Sequence, residues 1–368
     1  MKFIEEFREP KLAQRLIKRI CEFSTKRINL MEVCGTHTTV IFRSGIKKLL
    51  PNFVNLLSGP GCPVCVTPET EIEKAILLAK RRDFIITTFG DLLRVPGATS
   101  SLEKERTKGS DIRVVYSCLD ALNIARSNPG KMVIFLGVGF ETTSPTITAT
   151  VLQAQEEGVD NFFILSSLKL IPPAMEVLLK SKEVRIDGFI CPGHVSVIIG
   201  AKPYRKLAEN YHVPCVIAGF EPLDILQSIY LLLLQIKEKR PRVVIQYKRA
   251  VKPEGNQKAQ KLMKKVFEIK DSHWRGLGMI EKSGLFLRKE YQGFDVEKKF
   301  PLKVKRAIRR SGCICGEILR GVKSPSDCPL FGKSCTPENA IGPCMVSSEG
   351  TCAAWYKYNK RALPANDK

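Results

Sequence analysis

Short apolar segments that alternate with helical patterns constrain the fold of this chain more than any other feature. Each segment ends in turn residues, and amphipathic helical patterns lie between several of them, for example at residues 69–81 and 146–157. Strands that alternate with helices are typical of parallel α/β sheets. The segments predicted as strands are residues 28–33, 53–57, 84–88, 113–116, 132–136, 162–166, 186–190 and 213–218.

The number of predicted strands favours two small doubly wound units over one large sheet. We place the join near residues 125–130, a polar stretch that contains Pro and Gly. The predicted domains are therefore residues 25–128 and residues 129–240, both of the α/β class.

The pattern changes after a helix predicted at residues 223–236. Residues 241–310 are basic and less regular, and residues 311–353 are rich in Gly, Pro, Ser and Cys. Such a segment has too little apolar surface for a large core and needs a metal to hold its fold. We assign residues 241–368 to a third, cysteine-rich domain, with the N-terminal helix within residues 1–24 as a candidate to pack on it.

Composition excludes some classes of protein. The chain is 44% hydrophobic and 26% charged, which is typical of globular proteins. The longest apolar stretch, residues 223–236, contains Asp224, Gln227 and Ser228, so it is too short and too polar to span a bilayer. No apolar leader is found at the N-terminus. We expect a cytoplasmic protein, in which the thirteen cysteines serve metal or redox chemistry rather than a disulfide framework.

The formal charge of +22 is unevenly spread. Residues 237–310 contain 23 Lys and Arg against 8 Asp and Glu, a net charge of +15. Such a segment is either a surface for nucleic acid or an acidic partner, or a solvated basic face. Aromatic residues are sparse there and no nucleic-acid motif occurs, so nucleic-acid binding is disfavoured and the partner of this segment stays open.

The first predicted strand runs directly into Cys34-Gly-Thr-His37. If a helix follows, both side chains lie in its first turn, where the helix N-terminus favours thiolate over thiol. A thiolate and an imidazole suit iron, zinc or copper, and they equally suit a nucleophile beside its base. A buried cysteine with a turn histidine is the third alternative, and spacing does not decide among them.

The second predicted strand leads into Cys62-Pro-Val-Cys65, followed by Thr67 as a helix cap. A Cys-x-x-Cys sequence just before a helix is typical of a redox dithiol. Zinc is the alternative, although no second Cys-x-x-Cys lies nearby.

Two further strand ends carry polar residues. Residues 137–142 do not complete the dinucleotide-binding pattern because residue 142 is Thr, and Glu141 could serve as a proton donor, a partner contact or a helix cap. His194 follows the strand at 186–190 and is either functional or a turn histidine.

Six cysteines lie within 40 residues near the C-terminus, beyond the last histidine. Four thiolates suit a 4Fe–4S cluster or a zinc site. Structural zinc sites usually contain Cys-x-x-Cys, which is absent here, and six cysteines leave two over. An iron–sulfur cluster with an adjacent dithiol fits better. The six are Cys313, Cys315, Cys328, Cys335, Cys344 and Cys352.

Five stretches together resemble the signature sequences of the HypD family, which helps build the iron centre of nickel–iron hydrogenases. The resemblance covers nearly the whole chain. It implies two similar α/β domains facing a cleft, and a domain that holds a 4Fe–4S cluster. The stretches are MEVCGTHT (31–38), GPGCPVCVTP (59–68), GFETTSPT (139–146), PGHVSVIIG (192–200) and the cysteine-rich stretch 313–356.

The resemblance also implies partners and roles. A small HypC-type chaperone would share an iron ion that acquires two cyanides and one carbon monoxide, with cyanide delivered by a HypE-type protein. Cys34 would bind the iron, with His37 as a neighbour or second ligand, and Cys62 and Cys65 would be the redox pair.

For the cluster the family is similar to ferredoxin–thioredoxin reductase, in which a dithiol lies beside the cluster. The implied ligands are Cys313, Cys328, Cys335 and Cys352, with Cys315 and Cys344 as the nearby pair. The alternative assignment exchanges Cys313 with Cys315. Cys191 has no place in the family pattern.

The alternative function is an iron–sulfur thiol–disulfide reductase that acts on protein partners. It explains Cys62, Cys65 and the cluster but gives no role to Cys34 and His37. The electron donor, the source of carbon monoxide and the oligomeric state do not follow from the sequence.

Overall fold

A computed structural model of the chain describes residues 5–23, 26–302, 304 and 312–359. The fold is α/β, with two sheets in which parallel pairing dominates. The strands are β1 (Ile28–Glu32), β2 (Val54–Ser58), β3 (Phe84–Thr88), β4 (Ile112–Val114), β5 (Met132–Gly139), β6 (Phe162–Lys169), β7 (Gly188–Pro192), β8 (Cys215–Ala218), β9 (Val243–Ile245), β10 (Phe267–Trp274) and β11 (Gly278–Leu287).

Helices connect most of these strands, and short 3₁₀ helices occur at Glu5–Phe7, Gly90–Leu92, Lys202–Tyr204, Lys289–Phe294 and Pro325–Asp327. The α-helices are α1 (Pro10–Cys21), α2 (Gly35–Arg43), α3 (Ile46–Leu49), α4 (Pro63–Val66), α5 (Glu69–Ala79), α6 (Leu102–Thr107), α7 (Cys118–Ser127), α8 (Ser144–Glu156), α9 (Ile171–Ser181), α10 (Gly193–Ile199), α11 (Arg205–Asn210), α12 (Pro222–Glu238), α13 (Gln257–Val266), α14 (Val296–Lys299), α15 (Cys315–Leu319), α16 (Pro343–Val346) and α17 (Thr351–Tyr358).

The first sheet has the strand order β2-β1-β7-β8-β9, and all its pairs are parallel. The second sheet has the order β10-β11-β6-β5-β3-β4. Its four strands from β6 to β4 are parallel, and the β10–β11 hairpin extends them with antiparallel pairs.

All eight predicted strands are confirmed, within a few residues at their ends. The physical reason is visible in β3, where every residue is buried. A parallel strand covered by helices on both faces needs apolar side chains at nearly every position, so it stands out as a continuous apolar run.

The predicted division into residues 25–128 and 129–240 needs correction, because it does not separate the two sheets. β4 and β5 lie on either side of that boundary, yet both belong to the second sheet. The first sheet takes its strands from residues 28–58 and 188–245, with the parallel strands of the second sheet inserted between them. The predicted division places strands that are adjacent in the chain in the same unit. In the structure the chain leaves the first sheet after β2 and returns to it at β7.

The predicted third domain, residues 241–368, also needs correction. β9 completes the first sheet, and the β10–β11 hairpin extends the second sheet. The N-terminal helix α1 packs on α12 and on the apolar side of the first sheet, rather than on the cysteine-rich segment. Residues 1–4, 24–25, 303, 305–311 and 360–368 of these predicted segments lie outside the described residues.

The basic segment, residues 237–310, forms β9, α13 and the hairpin where it is described. Its lysines on α13 and on the hairpin are largely exposed, as expected for a solvated basic face. Among the described residues, no helix combines the length and the apolar character needed to cross a membrane.

One apolar core joins both sheets to the C-terminal segment. It contains Met31 and Phe189 from the first sheet, Phe84 from the second, and Ile318 and Met345 from the cysteine-rich region. The cysteine-rich segment is therefore built into the main core, and it lies where strands of both sheets end.

Candidate functional site

Several predicted site residues come together at the carboxyl edge of the first sheet, whereas Glu141 follows a strand of the second sheet. Cys34 follows β1, Cys62 follows β2 and His194 follows β7, and these strands are neighbours in the order β2-β1-β7. The loop after β8 adds Gly219 and Phe220. The carboxyl ends of parallel strands are the usual place for ligand sites in α/β folds.

Cys34 caps helix α2 with an extended backbone. Its N–H donates to Glu32 Oε2 at 3.0 Å, and the N–H of Gly35 donates to the carbonyl oxygen of Gly61 at 3.1 Å. A Cβ added to Gly61 would overlap the backbone of Cys34. The turn that carries Cys34 and the loop that carries Cys62 are therefore packed directly on each other.

Burial raises the pKa of the Cys34 thiol to about 12. The backbone N–H groups of His37 and Thr36 lower this pKa, and the carboxyl groups of Glu349 and Glu32 raise it. The expectation that the helix N-terminus makes Cys34 a thiolate is therefore wrong for the protein alone, because desolvation outweighs the backbone donors. A bound cation would reverse this balance, since metal ions bind thiolates.

His37 presents an unused nitrogen. Its Nε2 lies 3.0 Å from the carbonyl oxygen of Gly219, which can only accept, so Nε2 carries the proton and Nδ1 keeps a lone pair. Burial lowers the pKa of His37 to about 4, which keeps the ring neutral. Nδ1 is buried and has no hydrogen-bond partner among the described residues. Neutral imidazole with a free lone pair is a common metal ligand.

Phe220 separates His37 from the surface. Its ring stacks on His37 with 4.8 Å between centroids and on His194 with 3.8 Å. His194 is exposed, and burial of its inner face lowers its pKa. His194 therefore forms the outer layer of the site.

Glu32 is a functional candidate that the sequence analysis missed. Its side chain is 2% exposed and accepts hydrogen bonds from the Thr38 hydroxyl and from the Cys34 N–H. Burial raises its pKa to about 7, so it can hold or release a proton near neutral pH. The available signal was a carboxylate at the end of an apolar strand, in INLME.

Cys62 and Cys65 form a disulfide in the structure, with 5.3 Å between their Cα atoms. Both side chains are buried. Cys65 Sγ lies 3.9 Å from the carbonyl oxygen of Pro343, the residue before Cys344, and helix α4 packs on helix α16. The Cys-x-x-Cys loop is thus in contact with α16, the helix that contains Cys344.

The six C-terminal cysteines share one neighbourhood. The sulfurs of Cys315 and Cys344 are 2.7 Å apart. Burial raises the pKa of Cys352 strongly, and four neighbouring thiols add to this effect. Those four are Cys315, Cys313, Cys335 and Cys328.

Backbone groups shape the space around these sulfurs. The N–H of Ile341 donates to Cys335 Sγ at 3.4 Å. A Cβ added to Gly342 would lie 2.6 Å from Cys313 Sγ, so only Gly leaves room beside that sulfur. Within the described part of the chain, no three His, Cys, Asp or Glu side chains converge closely enough to hold a single metal ion. In a four-iron cluster each thiolate binds a different iron, so its ligands need not meet at one point.

Glu141 lies apart from Cys34 and Cys62, because it follows β5 in the second sheet. Its Oε1 accepts the N–H of Ile171 at the start of α9, and its Oε2 is buried with no partner among the described residues. Burial raises its pKa to about 8. Glu141 therefore accepts an N–H at the start of α9, as a helix cap does, and its roles as proton donor or partner contact stay predictions.

The chain matches, over residues 11–359, the family described as HypD: Hydrogenase formation hypA family. It is 46% identical over 370 residues to the hydrogenase maturation factor HypD of Cupriavidus necator, with 98% of both chains covered. It is 46% identical over 374 residues to the hydrogenase expression/formation protein HupD of Azotobacter chroococcum, with 99% of both covered. It is 43% identical over 373 residues to the hydrogenase maturation factor HypD of Escherichia coli, with 99% of this chain and 100% of that protein covered. The chain belongs to the HypD family.

Proposed function

We propose that this protein is a maturation factor of nickel–iron hydrogenases. It acts as a scaffold on which an iron ion acquires cyanide and carbon monoxide, together with a HypC-type chaperone and a HypE-type cyanide donor. The names of its relatives support the maturation role. The observation that carries the scaffold role is a buried thiol, Cys34, in the same helix turn as His37, a buried histidine whose Nδ1 has no hydrogen-bond partner among the described residues.

The iron ion is cargo in this proposal, and Cys34 and His37 are its ligands from this chain. Cyanide and carbon monoxide bind well to iron that also carries a soft thiolate. Because the pKa of Cys34 is about 12, iron must displace the thiol proton when it binds. The exposed ring of His194 supports a partner surface over this site, where the HypC-type chaperone would add a further ligand.

Cys62 and Cys65 are the redox pair of the proposal. Release of cyanide from a protein thiocyanate takes two electrons and one proton, and it returns a thiol and cyanide. Two thiols provide two electrons and two protons when they form a disulfide. This role is supported by the disulfide between Cys62 and Cys65 and by the contact of Cys65 with Pro343 in the cysteine-rich segment.

The 4Fe–4S cluster belongs to the proposal as a resident cofactor of the cysteine-rich segment. The residues fit it: four thiols share one neighbourhood, Ile341 N–H points at one sulfur, and Gly342 leaves room beside another. We assign Cys313, Cys328, Cys335 and Cys352 as ligands. The 2.7 Å approach of Cys315 to Cys344 supports these two as the adjacent pair. Such a cluster would supply single electrons, two of which return the oxidised Cys62–Cys65 disulfide to its dithiol form.

Infrared spectroscopy tests the scaffold role. The chain is purified with a HypC-type chaperone from cells that make the other maturation proteins, and metal-bound cyanide and carbon monoxide are measured. Wild type should show both kinds of band, and Cys34→Ser should lose them because an alcohol is a harder and far more basic ligand. Cys118→Ser is the matched control, since Cys118 is equally buried but lies on α7 beside the second sheet.

A second arm separates the scaffold from a thiol–disulfide reductase, the alternative that the Cys62–Cys65 disulfide favours. Cys62→Ala should abolish maturation whether the protein is a scaffold or a thiol–disulfide reductase. Only the scaffold hypothesis predicts that Cys34→Ser also abolishes maturation while thiol–disulfide turnover continues. Absence of cyanide and carbon monoxide bands from wild type, with unchanged turnover in Cys34→Ser, would establish the reductase instead.

A further inference from the structure

The turn between β10 and β11 ties the Cys-x-x-Cys loop to the rest of the core. The N–H of Arg275 donates to the carbonyl oxygen of Val66 at 2.8 Å, and its Nε donates to that of Thr67 at 2.9 Å. Val66 is the last residue of α4, the helix that contains Cys65. Two hydrogen bonds therefore fix both the backbone and the guanidinium of Arg275 against this helix.

The same turn lies against the cysteine-rich segment. Gly276 has φ +81°, and a Cβ added to it would lie 2.6 Å from Cα of Gly316, the residue after Cys315. The carbonyl oxygen of Gly276 accepts a hydrogen bond from Arg320 at 2.7 Å. The turn thus fills the space between the Cys62–Cys65 helix and the start of α15.

One nitrogen of Arg275 is unused. Its Nη2 is buried and has no hydrogen-bond partner in the described part of the chain. A guanidinium stays charged at all relevant pH values, and a buried donor without a partner costs free energy. An anionic group at this place would satisfy both the donor and the charge.

The charge of Arg275 acts on the cysteines. Its guanidinium is close enough to Cys313, Cys315 and Cys344 to interact with them electrostatically. These three cysteines include one assigned cluster ligand and both members of the adjacent pair. The guanidinium therefore lies within electrostatic reach of the place assigned to the cluster.

We infer that Arg275 raises the reduction potential of the iron–sulfur cluster, through its positive charge and through an Nη2–H group that has no partner among the described residues. This inference rests on the cluster proposed above. Reduction adds one electron to the cluster and breaks no bond, so the net charge of the site falls by one. A nearby cation stabilises the reduced state more than the oxidised state, and hydrogen bonds to cluster sulfurs act in the same direction.

Substitution of Arg275 tests the inference in the full-length chain. Arg275→Gln and Arg275→Met remove the charge, and Arg275→Lys keeps it. The proteins are purified without oxygen and titrated with dithionite and mediator dyes, while the reduced cluster is measured by electron paramagnetic resonance. This readout does not depend on hydrogenase maturation.

Both uncharged variants should lower the ratio of reduced to oxidised cluster about tenfold at the wild-type midpoint, which for a one-electron couple is about 59 mV. Arg275→Lys keeps the charge, so its midpoint potential should lie close to that of wild type. Arg320→Lys is the control, because Arg320 contacts the same turn but its charge is paired with Glu183 at 2.6 Å. It should keep the wild-type potential.

The outcomes separate this inference from the proposed function. A wild-type chain without a cluster would overturn the proposed cofactor. An intact cluster with an unchanged potential in Arg275→Gln and Arg275→Met would overturn the role of Arg275 alone. Loss of the cluster from both uncharged variants but not from Arg275→Lys would assign Arg275 to holding the cluster, and would equally overturn its role in setting the potential.

Discussion

The turn that carries Cys34 and the segment that carries the six C-terminal cysteines are held by different interactions. Cys34 lies between strand β1 and helix α2, and backbone hydrogen bonds to Glu32 and Gly61 fix its turn. In residues 312–358 the α-helices are only five, four and eight residues long. Helices this short are unstable by themselves. The fold therefore preforms the Cys34 site, whereas the order of the C-terminal segment depends on the core beneath it and, in the proposed function, on the cluster that its cysteines would bind.

The largest effect should follow a change in the C-terminal segment. Wild type should contain about four irons and four sulfides per chain. Cys335→Ser should lose both, and residues 312–359 should become sensitive to protease, because the helices there are too short to persist without the metal. Metal analysis and limited proteolysis measure this.

The control for this experiment is Cys21→Ser, which changes an exposed thiol on α1. It should match wild type in both measurements. Zinc in place of iron in wild type, or a full complement of iron in Cys335→Ser, would contradict the assignment and remove the contrast between the two regions.

A smaller effect should follow a change at the preformed turn. Gly61→Ala places a Cβ against the backbone of Cys34, and overpacking of this kind costs about 1–3 kcal/mol. We expect a lower free energy of unfolding in urea and weaker iron–cyanide and carbon monoxide bands, with the cluster intact.

Gly130→Ala is the matched control for this substitution, since a Cβ added there meets nothing within 4 Å. If both variants unfold at the same urea concentration as wild type, the turn is not packed as tightly as the structure indicates. If Gly61→Ala loses its cluster as well, the Cys34 turn and the C-terminal segment are coupled. That result would contradict the separate support of these two regions.

The smallest effect concerns Glu32 beneath Cys34. Its folded-state pKa of about 7 is above the ordinary value of 4.5, so between these values the folded chain binds more protons than the unfolded chain. Stability from this group is present at low pH and is lost as pH rises toward 7. His37 has the opposite influence below pH 6.5, because its folded pKa of about 4 is lowered.

A comparison of Glu32→Gln with wild type separates the pH effect of the Glu32 carboxyl group from that of His37, because both proteins contain His37. From pH 5 to 6.5 the difference in unfolding free energy should move in favour of Glu32→Gln by about 1.4 kcal/mol per pH unit. Urea titrations at several pH values measure it. Parallel profiles for the two proteins would show that Glu32 is not protonated in the folded chain.

Local sequence patterns were sufficient for the strands and for the residues at their ends, and insufficient for the contacts between them. Cys34, Cys62 and His194 were found because each follows a buried apolar strand. His37 donates its Nε2–H to the carbonyl oxygen of Gly219, which lies 182 residues away, and no local pattern indicates such a pair. Local patterns equally do not indicate which strands share a sheet.

The β10–β11 hairpin was missed for a different reason. It lies at the edge of the second sheet and exposes polar and charged side chains, together with Ile269 and Met279. An edge hairpin with one solvated face has no continuous apolar run. Arg275 was therefore counted only as part of a basic segment, although the hairpin turn brings it between the Cys-x-x-Cys helix and the C-terminal cysteines.

The interleaved order of the strands has a consequence for synthesis. Asn29 of β1 donates its N–H to Asp187, just before β7, across 158 residues of sequence. At about 5–20 residues per second, a ribosome needs roughly 8–30 s to deliver that partner. For this interval the growing chain holds β1 and β2 without their neighbours, while the parallel strands of the second sheet emerge complete. The four parallel strands of the second sheet are therefore the part that can pair during translation, and the edge that carries Cys34 forms only after β7 and β8 leave the ribosome.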